Sequence, residues 1–340
     1  MESKAVRLPI NGSDVREAAS RINGSVVHTP IVTSRLLNHW LGHNFFFKME
    51  SLQRVGAFKA RGALNALSRA VEQGTKVSRV IANSSGNHAQ AVAWAASSLG
   101  LKSTIYMPSN VSKIKAQATA SYGAEVVFGD TREWVDLEVA HQAKEFGTLW
   151  VPPYNHRDVM AGQGTAVLEA LTQVPDIDLI AAPCGGGGLL SGSLAIARDL
   201  APNAEVIGAE PLEANDAARS LRATRICSLE TPSSTLADGA RTICVGDLTF
   251  PMLQQLDGFY EVSEGRIAYW YQWLNHLLKY QIEPTSAMSM DAVIQHLSCA
   301  SNGNATQPRN ILVVLSGGNV DTSMRQLLWS QDFFSEIPSL

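Results

Sequence analysis

Apolar and polar positions along the chain fall into two alternating rhythms. Short apolar runs without helical spacing read as strands, and between them apolar residues recur every three or four positions, as on one face of a helix. From about Val77 the alternation is regular: a strand at 77–82, an alanine-rich helix at 87–99, and a strand at 103–107 stopped by Pro108. A helix at 112–122 ended by Gly123, a strand at 125–128, a helix at 133–146 ended by Gly147 and a strand at 149–151 follow. A second alternation runs from Val167 through a strand at 179–184 and a helix at 189–200 to 206–208; a long helix at 265–280 and a buried strand at 311–315 come later. Upstream, Val15, Ala18, Ala19 and Ile22 predict a helix over 13–23 capped by Ser13. Residues 44–50 read as an aromatic-rich strand and 58–73 as a helix. Strands separated by helices of this length indicate βαβ units with right-handed crossovers. The expected fold class is α/β, with two open α/β domains of mostly parallel sheets: a smaller one at 78–155 inserted in a larger one made of 1–77 and 156–340.

Composition narrows the class. Of 340 residues, 45% are apolar and 17% charged, with a formal net charge of −4, so nothing marks a nucleic-acid or anionic-membrane partner. No run of like charges, low-complexity segment or internal repeat is present. Residues 1–10 are charged without an apolar signal core, and no apolar stretch reaches bilayer length. Cys184, Cys227, Cys244 and Cys299 lie far apart without CxxC spacing and read as buried reduced thiols, consistent with a cytoplasmic protein.

The candidate chemistry centres on Gly185, Gly186, Gly187, Gly188 and Leu189, at a strand-to-helix turn. Four glycines leave main-chain N–H groups free to converge, and the following helix adds the positive end of its dipole, which suits a phosphate. The turn lacks the Lys-Ser/Thr of a P-loop and does not read as G-x-G-x-x-G, so nucleoside triphosphates and dinucleotides fit poorly. In Val55-Gly56-Ala57-Phe58-Lys59, a lysine follows a glycine-containing turn at a helix start. Burial and a positive helix end both lower an amine's pKa, which imine formation needs. A phosphate-bearing cofactor that condenses with lysine is pyridoxal phosphate; a solvated surface lysine is the alternative.

Three further stretches end strands. Ser84, Ser85, Gly86, Asn87 and His88 could hold a substrate carboxylate, or serve as a helix cap. Ser316, before Gly317 and Gly318, could donate to a ring nitrogen or cap a tight turn. Glu210 and Asp216 could hold a hard divalent cation with a main-chain carbonyl, or be solvated acids.

With these pieces in view, the sequence resembles the serine racemase and serine/threonine dehydratase family, pyridoxal-phosphate enzymes of the tryptophan-synthase-β type (fold type II). The motifs are FKARGAL around Lys59, SSGNHAQ at 84–90, AGQGT at 161–165, GGGGLLSG at 185–192, ADG at 237–239, IEPTSA at 282–287 and LSGGNVD at 315–321. The resemblance implies an active site in the cleft between the domains, with Lys59 joined covalently to the cofactor and Phe58 packed beside its ring. Asn87 is implied on the ring's phenolic oxygen, Gly185–Gly188 and Leu189 around the phosphate, Gly239 beside the cofactor, and Ser316 facing the pyridine nitrogen. Ser84, Ser85, Asn87 and His88 would hold the substrate carboxylate. Glu210, the Ala214 carbonyl and Asp216 match a site for Mg2+, Mn2+ or Ca2+. A homodimer and a nucleotide effector near Gln90, Tyr122, Lys279 and Asn319 are also implied.

The implied reaction is elimination from serine- or threonine-type β-hydroxy amino acids, giving a 2-oxo acid and ammonia. Serine racemisation would be linked to it through Lys59 and Ser85 on opposite faces of the ring. An alternative substrate is L-threo-3-hydroxyaspartate, whose distal carboxylate Arg132 would engage; a catalytically dead cofactor-binding regulator is the alternative of another class. Two departures stand out: Val55 and Ala57 replace hydroxyl residues usual in the family, and residues 130–136 align poorly in length. The short stretch after the last strand leaves no room for a C-terminal regulatory domain.

Overall fold

The computed structural model describes residues 8–231, 233–300 and 307–340; the expectation for the charged N-terminus lies, over residues 1–7, outside the described residues. Among the described residues ten strands form two sheets: β1 (Ile31–Val32), β2 (Asn44–Met49), β3 (Arg79–Asn83), β4 (Ser103–Pro108), β5 (Glu125–Gly129), β6 (Thr148–Trp150), β7 (Leu179–Pro183), β8 (Glu205–Pro211), β9 (Gly258–Val262) and β10 (Asn310–Leu315). The larger sheet runs β1-β2-β10-β7-β8-β9 and the smaller β5-β4-β3-β6. Every neighbouring pair is parallel except β1 with β2. Helices cover both faces of the larger sheet's central strands, so β7 and β10 read as unbroken apolar runs with Ile180, Ala181, Leu312 and Val313 fully buried.

Strand order decides where a ligand can sit. In the smaller sheet β3 has β4 on one side and β6 on the other; in the larger, β7 lies between β8 and β10. Such reversals open a crevice at the carboxyl ends of the strands. The turns after β3, β7 and β10 are the ones that carry Ser84–His88, the four glycines and Ser316.

Helix Lys59–Glu72 packs backbone to backbone on helix Arg157–Gln173. A Cβ on Gly162 would lie 2.6 Å from the Arg61 carbonyl oxygen, and one on Gly62 2.8 Å from that of Val159. A buried charge set locks this crossing. Arg61 Nε donates to Glu50 Oε2 (2.7 Å), its Nη1 to Glu169 Oε1 (2.6 Å), and Lys48 Nζ to Glu169 Oε2 (2.7 Å). Lys48, Glu50 and Arg61 are all fully buried. Two cations against two anions leave no net charge in the interior, the condition under which such groups tolerate burial.

Several expectations are corrected. The first helix, Gly12–Ile22, is capped by Asn11, whose side chain accepts from Ser13 N and Asp14 N, so Ser13 lies in the first turn. The helix expected to reach residue 146 is Arg132–Gln142, begun by Thr131 as cap. Of the four free cysteines only Cys184 is buried; Cys227 and Cys244 are half-buried and Cys299 is exposed. Helix Pro284–Ala300, unmarked by a clear polar face, went unpredicted because it is covered nearly all round. Among the described residues no helix is long and apolar enough to cross a membrane.

Candidate active site

Lys59 is the first residue of its helix, and its side chain is half-buried in the crevice. Nζ donates to the Pro153 carbonyl at 2.7 Å and lies 4.9 Å from the centre of the Phe58 ring. Burial holds its pKa down to about 8, against the opposing pull of Glu283. The turn before it is under tension: Val55 has φ 56°, in the left-handed region a β-branched residue avoids. It is clamped from the loop after β10, where Asn319 Nδ2 donates to the Val55 carbonyl (2.8 Å) and Gly318 N to that of Gly56 (3.0 Å). The loop that carries Ser316 therefore also places Lys59.

The turn after β7 has the geometry of an anion cradle. The amides of Gly185, Gly186 and Gly187 donate to no acceptor among the described residues. Gly187 has φ +90°, and a Cβ there would meet Thr249 Cβ at 2.9 Å; a Cβ on Gly186 would fall 2.3 Å from the Tyr154 ring. Tyr154 lies over the turn and donates its hydroxyl to the Cys244 carbonyl at 3.0 Å. Gly239, in the facing loop, donates its amide to Thr285 Oγ1 at 3.0 Å, and its carbonyl would lie 3.2 Å from a Cβ on Gly185. A side chain on Gly186, Gly187 or Gly188 would clash, and the following helix Gly188–Leu200 starts there. A free main-chain cradle and a half-buried amine with lowered pKa fit a phosphate-bearing aldehyde.

A residue not expected from the sequence joins Asn87 to Ser316. Glu283 is buried, accepts from Asn87 Nδ2 at 2.9 Å and from Ser316 Oγ at 3.1 Å, and burial raises its pKa to about 7. Ser316 also shares a 3.1 Å contact with Ser286 Oγ. Asn87 Oδ1 accepts from Asn319 Nδ2 at 2.9 Å. Asn87 and Ser316, expected at the phenolic oxygen and the pyridine nitrogen of one cofactor ring, are thus bridged by one carboxyl group. Glu283 stood inside the quoted IEPTSA motif, and an acid amid apolar neighbours was the available signal.

The turn after β3 places Ser84, Ser85 and Asn87 at the crevice. Ser84 Oγ accepts from Gly86 N at 3.3 Å, whereas the Ser85 hydroxyl has no partner among the described residues. The His88 ring turns inward, its Nε2 lying 2.8 Å from the Val151 carbonyl. Burial, with Lys59 nearby, lowers its pKa to about 3, so it stays neutral, and its Nδ1 is buried without a partner among the described residues. Arg132 is half-exposed at the start of helix Arg132–Gln142, with Nε 3.0 Å from Asp136 Oδ1 and its terminal nitrogens unpartnered among the described residues. Asp136 Oδ1 also accepts from Asn83 Nδ2 at 2.7 Å, which ties Arg132 to the residue preceding Ser84.

Glu210, near the end of β8, and Asp216, at the start of the helix after it, make no hydrogen bond to Lys59, Asn87, Glu283 or Ser316. Glu210 accepts from Ala217 N and Ala218 N, both at 2.9 Å, while Asp216 Oδ2 is buried without a hydrogen-bond partner. Burial and their mutual repulsion raise the Glu210 pKa well above the usual range; burial raises that of Asp216 to about 7. Among the described residues no group of three or more His, Cys, Asp or Glu side chains could hold a metal ion, so a cation here would depend on two carboxylates and a main-chain carbonyl such as that of Ala214.

Known proteins of one family resemble the chain along most of its length. Residues 22–317 match the family model described as pyridoxal-phosphate dependent enzyme. The chain is 40% identical over 313 residues to an L-threo-3-hydroxyaspartate ammonia-lyase of Saccharomyces cerevisiae, covering 91% of this chain and 93% of the relative. It is 38% identical over 324 residues to a serine racemase of Arabidopsis thaliana, covering 94% and 96%. The solved structure of a threonine deaminase from T.th. superposes with a TM-score of 0.84 at 39% identity, covering 92% of this chain and 99% of that one.

Proposed function

The chain belongs to the pyridoxal-phosphate dependent enzymes, and from that premise we propose that it removes water from β-hydroxy-α-amino acids, with serine racemisation as a linked activity. The observation that carries this reading is the half-buried Lys59 amine, with a pKa of about 8 and its Nζ on the Pro153 carbonyl.

Pyridoxal phosphate, when bound, supplies a sink for the electron pair left at Cα. Lys59, Gly185–Gly188, Leu189, Gly239, Asn87, Phe58 and Ser316 would hold it. Lys59, neutral above about pH 8, takes the proton from Cα. Ser84 and the amides of the turn orient the substrate carboxylate. Glu283 fixes Asn87 and Ser316 relative to each other through its two carboxyl oxygens. In elimination the β-hydroxyl leaves with a proton as water; a second water then enters, so one amino acid gives one 2-oxo acid and one ammonia. In racemisation Ser85 returns a proton to the opposite face.

L-threo-3-hydroxyaspartate is the second reading. The unpartnered terminal nitrogens of Arg132, at the same strand edge as Ser84, favour it. Incubation with L-serine, L-threonine and L-threo-3-hydroxyaspartate, with pyruvate, 2-oxobutyrate, oxaloacetate and D-serine measured, tests both; absence of every product overturns the proposal. The reading extends to a divalent cation on Glu210, Ala214 and Asp216, a cytoplasmic homodimer, and a nucleotide effector near Gln90, Tyr122, Lys279 and Asn319.

A further inference from the structure

The two sheets face each other across the crevice, and few side chains tie one side to the other. From residues 79–150, Asn87 reaches Glu283 and Asn319 on the larger side. Lys115, on helix Lys113–Ser121 of the smaller side, reaches two acids of the larger: Nζ lies 2.8 Å from Asp238 Oδ2 and 3.2 Å from Asp321 Oδ2. Among the described residues no other ion pair joins 79–150 to the rest of the chain. Its acceptors are not distant surface acids. Asp238 immediately precedes Gly239, whose amide is held by Thr285, and Asp321 follows shortly after Ser316 and Asn319.

We propose that Lys115 is a positioning residue: its ammonium, clasped by Asp238 and Asp321, holds the smaller side closed over the bound amino acid. The charge count explains why this is more than one surface pair. One cation faces two carboxylates, and Glu283 lies within electrostatic reach of both Lys115 and Asp238. Without the cation, Asp238 and Asp321 repel each other in a narrow crevice that closure would dry. Water entry relieves that repulsion, so the open form gains. The clasp is only 19% exposed at Lys115, which limits screening while leaving it free to part when the crevice opens. A closure equilibrium of this kind scales apparent affinity by the closed fraction.

The test compares the cofactor-loaded parent with Lys115→Met, Lys115→Arg and the double variant Lys115→Met/Asp321→Asn. Amide hydrogen exchange is followed by peptide, alongside thermal unfolding and the kinetics of L-serine elimination. Lys115→Met is expected to speed exchange about tenfold in residues 113–121 and 236–241 alone, and to raise KM about tenfold with kcat within about threefold. The unfolding midpoint stays near that of the parent. Lys115→Arg retains most of the closure, and Asp321→Asn in the Met background recovers part of it by removing the repulsion. Unchanged exchange overturns the clasp. So does faster exchange spread evenly over 79–150 with a lowered midpoint, which marks a merely structural lysine. The kinetic arm rests on the proposed elimination and the exchange arm does not; a parent that turns over no amino acid defeats the proposed function while exchange still decides the clasp.

Discussion

Glu283 accepts a hydrogen bond from Asn87 at 2.9 Å, although 196 positions separate them in the chain. With its other oxygen on Ser316 and its pKa raised to about 7 by burial, Glu283 binds a proton more tightly folded than unfolded. Its contribution to stability is therefore full below about pH 4.5 and is lost as pH rises toward 7. Glu283→Gln keeps an acceptor for Asn87 and cannot ionise. Denaturant titrations at pH 4.5 and 7.5 should show that the variant lacks a loss on the order of 3 kcal/mol. An equal pH dependence in parent and variant would contradict the assignment.

The free amine is the form that attacks an aldehyde. With Lys59 held at about 8, mixing cofactor-free protein with pyridoxal phosphate should give a visible band that grows faster as pH rises and levels off above about 8. Lys59→Ala gives no such band and loses roughly a thousandfold or more of its turnover. Borohydride reduction and peptide mapping place the adduct at position 59; an adduct elsewhere defeats the scheme.

Ser85 has a hydroxyl without a partner among the described residues, at a turn set by β3. Ser85→Ala should lower D-serine formation by roughly a hundredfold while 2-oxo acid production stays within about threefold. Chiral chromatography and a coupled keto-acid assay separate the two, and parallel losses would remove Ser85 as an acid on the opposite face.

Arg132 offers two terminal nitrogens beside the strand that leads into Ser84. Arg132→Gln is expected to cut kcat/KM for L-threo-3-hydroxyaspartate by roughly tenfold to a hundredfold, as for loss of a charged hydrogen bond, and to leave L-serine nearly unchanged. A similar drop for both substrates would show that the arginine supports the fold rather than selects the substrate.

Asp216 presents a buried oxygen without a hydrogen-bond partner beside a second buried carboxylate. Millimolar Mg2+ or Ca2+ at about a hundred times its dissociation constant should stabilise the parent by about 3 kcal/mol, and chelation should reverse it. Asp216→Asn abolishes the response. A parent indifferent to both cation and chelator carries no cation there.

Strand and helix identity was legible wherever one face stayed polar or a run was short and wholly apolar, as in β7 and β10. Legibility failed where burial erased the polar face, as in helix Pro284–Ala300, and where a local cap overrode a plausible neighbour, as with Asn11 in place of Ser13. At the site, the residues that break helical or strand rhythm were readable: Lys59 after a glycine turn, and four consecutive glycines. Pro153 and Glu283 were not, because their roles arise from contacts spanning 94 and 196 positions. The orientation of His88 was equally hidden, since a strand-end histidine can face the crevice or the Val151 carbonyl.

The charge set of Lys48, Glu50, Arg61 and Glu169 constrains how this sequence can drift. Any one member exchanged for a neutral side chain strands an unmatched ion in a dry interior, at a cost of roughly 3–5 kcal/mol, whereas replacing the whole set by well-packed apolar groups need cost little. Any route between the two solutions by single substitutions passes through such a stranded ion. The four positions are in effect one heritable unit, and the helix bearing Lys59 inherits its immobility.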